Sequence, residues 1–236
     1  MADGTVPLGK NRLLQRLDSG IRKSLLPHLK LVELGIKQFV YEPNRPIANV
    51  YFPIDGVISL LAPPEAGSSI EVATIGNEGF AGLPLFLGAK RSPGSCFSQV
   101  PGKALRMSAA HFLAAIKNNG NLTAILHLYT QALMIQISQG TACNRAHTIQ
   151  QRCARWLLLT HDRVGRDEFL LTQEFLGQML GIRRASVGEI ATALQKRGLI
   201  KYSRGQLQIT NRKGLESVSC VCYSIIRKEY DRLLNR

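Results

Sequence analysis

The chain holds no C-x-x-C pair among its five cysteines (Cys96, Cys143, Cys153, Cys220 and Cys222), and their number is odd. That usage suits free thiols in a reducing compartment, so a cytoplasmic protein is expected. The first cysteine is Cys96, which excludes the N-terminal thiolate cluster of an iron–sulfur oxygen sensor. No histidine stands between His28 and His111, so residues 36–108 lack the histidines of a metal-binding cupin. Their acids are only Glu42, Asp55, Glu65, Glu71 and Glu78, and with no histidine beside them no catalysis is expected. No metal and no cofactor are expected either, although Cys96 or a flanking histidine stays open as a haem ligand against the reading of a core cysteine. The start, Met1-Ala2-Asp3-Gly4, lacks the basic and then apolar run of a secretory signal.

Acid is scarce as a whole: no Asp or Glu occurs from Gly79 to His161, and the 236 residues carry 30 Lys and Arg against 16 Asp and Glu, net +14. An anionic partner, nucleic acid or a membrane surface, fits that excess. From Asn118 to Asn144 there is no charge of either sign. A membrane span would explain this, but Asn121, His127, Gln131, Gln136 and Gln139 recur through it and are costly in hydrocarbon. A helix buried between two subunits explains it better.

The texture changes three times along the chain. Residues 1–35 read as helical, with Leu13, Leu14, Leu17, Ile21 and Leu25 at helix-like spacings until Pro27 interrupts. From about Ile36 to Met107 short β-type runs follow: Val50 to Ile54, Val57 to Leu61, Ile70 to Ile75 and Ala104 to Met107. Asp55-Gly56 reads as a type I′ hairpin turn, and Pro63 to Gly67 and Ser92-Pro93-Gly94 as loops. Strands broken this often suggest a barrel or β-roll. Helix returns from about Ser108 to Arg145, where Leu122, Ile125, Leu126, Tyr129, Leu133, Gln136, Ile137 and Gly140 form a stripe that needs another helix against it.

The most informative stretch runs from Leu171 to Ile190. Thr172 suits an N-cap, Glu174 complements the dipole of the first turn, and Leu176, Met179 and Leu180 share an apolar face. Gly181 supplies a left-handed turn. A second helix opens with Arg183 and Arg184 and turns Val187, Ile190, Ala191 and Leu194 inward, leaving Arg184, Ala185, Gly188, Glu189 and Thr192 outside. This is a helix-turn-helix with polar groups where a recognition helix meets base edges. Leu199 to Ile209 then reads as strand, turn and strand, a wing with Lys201 and Arg204 placed for phosphate. Residues 146–236 hold 16 basic against 8 acidic residues, as a DNA-contacting module would.

With these elements in order the chain resembles the Crp/Fnr superfamily of regulators, typified by the catabolite activator protein. Leu171 to Ile190, the Gly198-Leu199-Ile200 ending, and Val50 to Ser59 carry the likeness. The resemblance implies an α+β protein in three parts. Residues 1–117 would form a β-roll sensor, a cyclic-nucleotide-binding-like jelly roll with N-terminal helices. Residues 118–145 would be a long dimerisation helix, and 146–236 a winged helix-turn-helix. It implies a homodimeric, sequence-specific transcriptional regulator on a palindromic operator. An unidentified small-molecule effector and RNA polymerase are further candidate partners. Arg184, Ala185 and Glu189 would face bases, while Gln173, Ser186, Ser203 and Arg204 touch backbone, with Arg183 and Lys201 beside them.

The cyclic-nucleotide site departs from the pattern. In the turn Glu78 to Leu85, Leu83 stands where a ribose-binding acid belongs, and Gly94-Ser95 keeps the Ser of an Arg-Ser pair without its Arg. Loss of that charge-assisted phosphate contact argues against cyclic AMP. Gly82, Arg91 and Ser95 remain weak candidates for another effector. Cys220 and Cys222, at alternate positions of one C-terminal helix, read as ordinary packing. Two rivals stay open: an enzyme on a β-barrel, and a non-catalytic ligand-binding or scaffolding dimer that uses its helices for protein partners.

Overall fold

A computed structural model describes residues 7–63 and 70–234; most of the predicted Pro63 to Gly67 loop and the Met1 to Gly4 start lie outside them. The N-terminal helical pattern becomes two short helices, α1 (Arg12–Gln15) and α2 (Ser19–Leu25), before Pro27 turns the chain. Strand then begins earlier than the sequence suggests, at β1 (Lys30–Leu34). It was legible only as part of the helical zone because this strand buries little: Leu31 is exposed, and only Leu34 is fully covered.

The roll continues as β2 (Phe39–Tyr41), β3 (Asn49–Pro53), β4 (Val57–Leu61), β5 (Glu71–Ile75), the short helix α3 (Leu83–Phe86), β6 (Ser95–Val100) and β7 (Gly102–Ser108). One sheet has the order β1-β7-β3 and the other β2-β6-β4-β5, all neighbours antiparallel. Here the expected Asp55-Gly56 hairpin fails, since β3 pairs with β7 and β4 with β5 and β6. The turn carries the chain between sheets, and Gly56 lacks the positive φ of a type I′ turn. Glycine serves close approach instead: a Cβ there would lie 2.8 Å from the Val100 carbonyl oxygen.

Beyond the roll the single helix expected from Ser108 to Arg145 is two, α4 (Ala109–Asn118) and α5 (Gly120–Ala146). Asn119 is extended and its side chain accepts from the Leu122 N–H at 3.1 Å, so the polar Asn118-Asn119-Gly120 run ends one helix and caps the next. Leu122, Ile125, Leu126, Tyr129, Leu133 and Gln136 are all buried within this one chain. Most of the apolar stripe read as a subunit interface is therefore internal packing, with Ile137 and Gly140 half-buried. Phe80 is the hub between the roll and these helices, with the rings of Phe52, Phe112 and Tyr129 each 5.3–5.8 Å from it, centroid to centroid.

Helix α6 (Ile149–Val164) starts in a Thr148–Gln151 capping box and stops at left-handed Gly165. Then come β8 (Glu168–Leu170), α7 (Gln173–Leu180), α8 (Arg184–Lys196), β9 (Ile200–Ser203), β10 (Gln206–Ile209), α9 (Arg212–Val218) and α10 (Cys222–Leu234). The wing is a three-stranded sheet, β8-β10-β9. The last helix turns back along α5 and reaches the N-terminus, where Arg12 pairs with Asp231 at 3.0 Å and Arg16 donates to the Leu233 carbonyl at 2.8 Å. Cys220 precedes α10 while Cys222 opens it, so the two do not share a helix as expected. Among the described residues no helix is long and apolar enough to cross a membrane.

Candidate nucleic-acid interface

The local chemistry that shapes the helix-turn-helix is the chemistry the sequence advertises. The Thr172 hydroxyl accepts from the Phe175 N–H at 3.1 Å and starts α7. Phe175, Leu176, Met179 and Leu180 turn inward, and Gly181 takes φ +65° to end the helix. One requirement escaped the sequence reading. A Cβ on Gly177 would lie 2.9 Å from the Ile182 carbonyl oxygen, so the close crossing of the two helices depends on that glycine.

Helix α8 seats itself through Val187, Ala191 and Leu194, all buried, with Ile190 half-buried. Its N-terminal turn is open to solvent: Arg183, Arg184, Ala185 and Glu189 are exposed, and Ser186 is half-buried. Neither Arg184 nor Glu189 has an ion-pair partner among the described residues. Both side chains are therefore available to a ligand. Thr192 is spent locally, its hydroxyl donating to the Gly188 carbonyl at 2.8 Å.

The wing turns at Arg204-Gly205, both with positive φ, which is the I′-like geometry absent at Asp55-Gly56. It is tied twice through Tyr202. The Tyr202 hydroxyl donates to the Leu171 carbonyl at 2.7 Å, and the Tyr202 N–H donates to Gln195 of α8 at 2.8 Å. Burial pushes the Tyr202 phenol up, so it stays a donor. Recognition helix and wing thereby face one open cleft in which Gln173, Arg184, Ser203 and Arg204 meet. Exposed Lys201 lies on the same hairpin.

The effector candidates do not converge. Gly82 has φ +135° and packs where a Cβ would strike Val50, while Arg91 is exposed. Ser95 is buried and lines a cleft with Lys37, Phe39, Phe97, Phe175 and Met179, so it faces the helix-turn-helix rather than the other two. Leu83 packs half-buried against the core. Cys96 is fully buried, and burial pushes its thiol up to about 12, which is core behaviour.

What the sequence did not disclose is the junction. The outer face of the β4-β5-β6 sheet is covered by α6 and α7. Trp156 donates to Glu71 at 2.8 Å, Phe97 meets Phe175 edge to face at 5.8 Å, and Ser59 lies 3.9 Å from the Met179 sulfur. Beside them Arg163 of α6 reaches Glu78 and Thr74 of the roll and Gln136 of α5, each at 2.7 Å. The roll and the helix-turn-helix are thus in direct side-chain contact.

Residues 151–218 match the Crp-like helix-turn-helix domain family. Among curated proteins no sequence match reaches significance. Among solved structures, FixK2 from Bradyrhizobium japonicum is similar at 15% identity and TM-score 0.68, over 81% of this chain and 98% of its own. A protein described as a Crp/Fnr-family transcriptional regulator from Eubacterium rectale gives 16% and 0.66, over 87% and 96%. A Crp/Fnr-family transcriptional regulator from Thermus thermophilus gives 17% and 0.61, over 80% and 98%. This chain carries a Crp-like helix-turn-helix domain within the fold it shares with Crp/Fnr transcriptional regulators.

Proposed function

We propose that the protein is a homodimeric, sequence-specific DNA-binding transcriptional regulator, cytoplasmic and without catalysis of its own. The observation that carries this reading is the cleft between α8 and the wing. There Arg184 and Arg204 stand exposed on elements fixed by Gly181, Tyr202 and Gln195. Arg184 and Glu189 project from the first turns of a helix that a major groove admits, and Lys201, Ser203 and Arg204 are placed for phosphate. Residues 1–117 serve as the sensor, 118–145 as the dimerisation helix and 146–236 as the DNA-binding part, with signal passing through the Arg163 junction. The effector is a small molecule other than cyclic AMP, because Leu83 and Gly94 offer neither the acid nor the arginine that a ribose phosphate needs. RNA polymerase is a partner where the protein activates.

Selection from random duplex DNA with the purified full chain tests this, followed by titration at several salt concentrations. A palindromic consensus with affinity falling as salt rises is expected, because phosphate contacts release counterions. Enrichment of no sequence would sink the reading.

A further inference from the structure

Where α5 ends, four side chains that carry metal-binding atoms come together from two distant parts of the chain. Cys143 and His147 stand one turn apart at the C-terminal end of α5, and Cys220 and Cys222 flank the start of α10. Their ligand atoms all lie within 4.8 Å of one another. The Cys143 and Cys220 sulfurs are 3.4 Å apart, and Cys222 Sγ is 3.5 Å from His147 Nδ1. Metal–sulfur bonds of about 2.3 Å in a tetrahedron set donor–donor edges of about 3.8 Å, so small adjustments would close the set around one ion.

We propose that Cys143, His147, Cys220 and Cys222 form a structural site for one thiophilic divalent cation, zinc by its ligand set, which fastens α10 to the end of the long helix. Ordinary packing accounts poorly for the cluster. The three cysteines are buried yet form a small group detached from the main apolar core, with their sulfurs against one another and against polar atoms. Gln139, one turn before Cys143, donates its amide to Cys222 Sγ at 3.2 Å, the kind of outer hydrogen bond that steadies a metal-bound thiolate. Three thiolates and one neutral imidazole around a divalent ion leave a net charge of −1. Arg152 lies within electrostatic range of Cys143 and Cys220 to offset it. It also donates to the Leu180 carbonyl at the end of α7, at 2.7 Å. Loading the site forms three metal–sulfur bonds and one metal–nitrogen bond, and the three thiols release their protons to solvent.

The test uses the full chain, purified anaerobically, stripped with a chelator and titrated with cobalt(II) and with zinc(II). One equivalent per chain is expected, with the visible bands and sulfur-to-cobalt charge transfer of a tetrahedral thiolate site, bleached when zinc displaces cobalt. Cys143→Ser and Cys222→Ser should lose that spectrum. Cys96→Ser and Cys153→Ser, which alter cysteines outside the cluster, should keep it. Should the cysteine variants fail to fold, His147→Ala, at a half-exposed position, supplies the same comparison through an affinity at least tenfold weaker. Zinc should also slow proteolysis within α10. Absence of stoichiometric metal, a Cys143–Cys220 disulfide in the anaerobic protein, or bound iron with acid-labile sulfide would each overturn the assignment.

Discussion

Arg163 and Glu78 form an ion pair of 2.7 Å in which both side chains are about 95% buried, and they come from opposite sides of the junction between roll and helix-turn-helix. Arg163 completes its set with Thr74, Gln136 and the Leu159 carbonyl, while Glu78 also accepts from the Gly76 N–H at 3.2 Å. Gly76 admits the arginine: a Cβ there would lie 2.3 Å from Arg163 Cγ. Deleting one partner strands the other charge in low dielectric. Arg163→Met or Glu78→Gln should therefore destabilise the folded chain by about 3–5 kcal/mol. The double variant should recover part of that loss, giving a non-zero coupling in denaturant unfolding. Additive single losses would mean the pair does not act as a unit.

A second contact across the junction is sensitive to pH. Burial raises the Glu71 carboxyl from 4.5 to about 7, against the lowering effects of Ser59, Trp156, Arg155 and Arg163. Between those values the folded chain holds a proton that the unfolded chain has released. Its contribution is thus fully present below 4.5 and lost as pH rises through about 7. The wild type should melt at a lower temperature at about pH 8 than at about pH 5.5, and Glu71→Gln should flatten much of that difference. An identical pH profile in both proteins would refute the assignment.

Dimerisation is to be sought on another face of α5 than the sequence suggested. Leu133 is 1% exposed inside the chain, so a charge there tests folding rather than assembly. The uncharged face left open runs through Ala124, His127, Gln131, Met134, Ser138 and Thr141, with Met134 58% exposed. Met134→Asp should give folded monomers by light scattering and weaken operator binding at least tenfold. Leu133→Asp should instead unfold. A Met134→Asp protein that stays dimeric would place the interface elsewhere.

The parts legible in the sequence were those fixed by local chemistry. Thr172, Gly181 and the Val187, Ala191 and Leu194 spacing determine the helix-turn-helix within residues 172–194, and β4 was read at its observed bounds. The parts that were not legible depend on distant partners. Glycine at position 56 serves either a positive φ or a close approach, and only Val100 across the roll decides between them. An uncharged apolar stripe on α5 fits a second subunit as well as it fits the returning α10, which no local signal announces. Arg163 and Glu78 are 85 residues apart, and Cys143 and Cys220 77, so neither pair is visible as a motif.

Base recognition can be predicted from the two exposed charges of α8. Arg184 is the first residue of the helix, exposed and without an ion-pair partner among the described residues, and it borders the cleft shared with the wing. An arginine so placed can bond O6 and N7 of one guanine, a bidentate contact worth about 1–3 kcal/mol of discrimination. Ala185, beside it, can offer only apolar contact, such as to a thymine methyl. Glu189 lies five residues further on, still exposed, and can accept from a cytosine amino group. Gln173, Ser186, Ser203 and Arg204 are expected to set register through the backbone, so their loss should weaken binding to all sequences alike. Selection from random DNA with the wild type, Arg184→Ala and Glu189→Gln separates these roles. Arg184→Ala should relax one symmetric base position by about tenfold to a hundredfold, in keeping with that discrimination. Glu189→Gln should shift preference from cytosine at a second position, because an amide can also donate. Should Glu189 serve only to repel phosphate, its variant would bind every sequence more tightly with an unchanged consensus. Unchanged preferences in both variants would mean that this face of α8 does not read the bases.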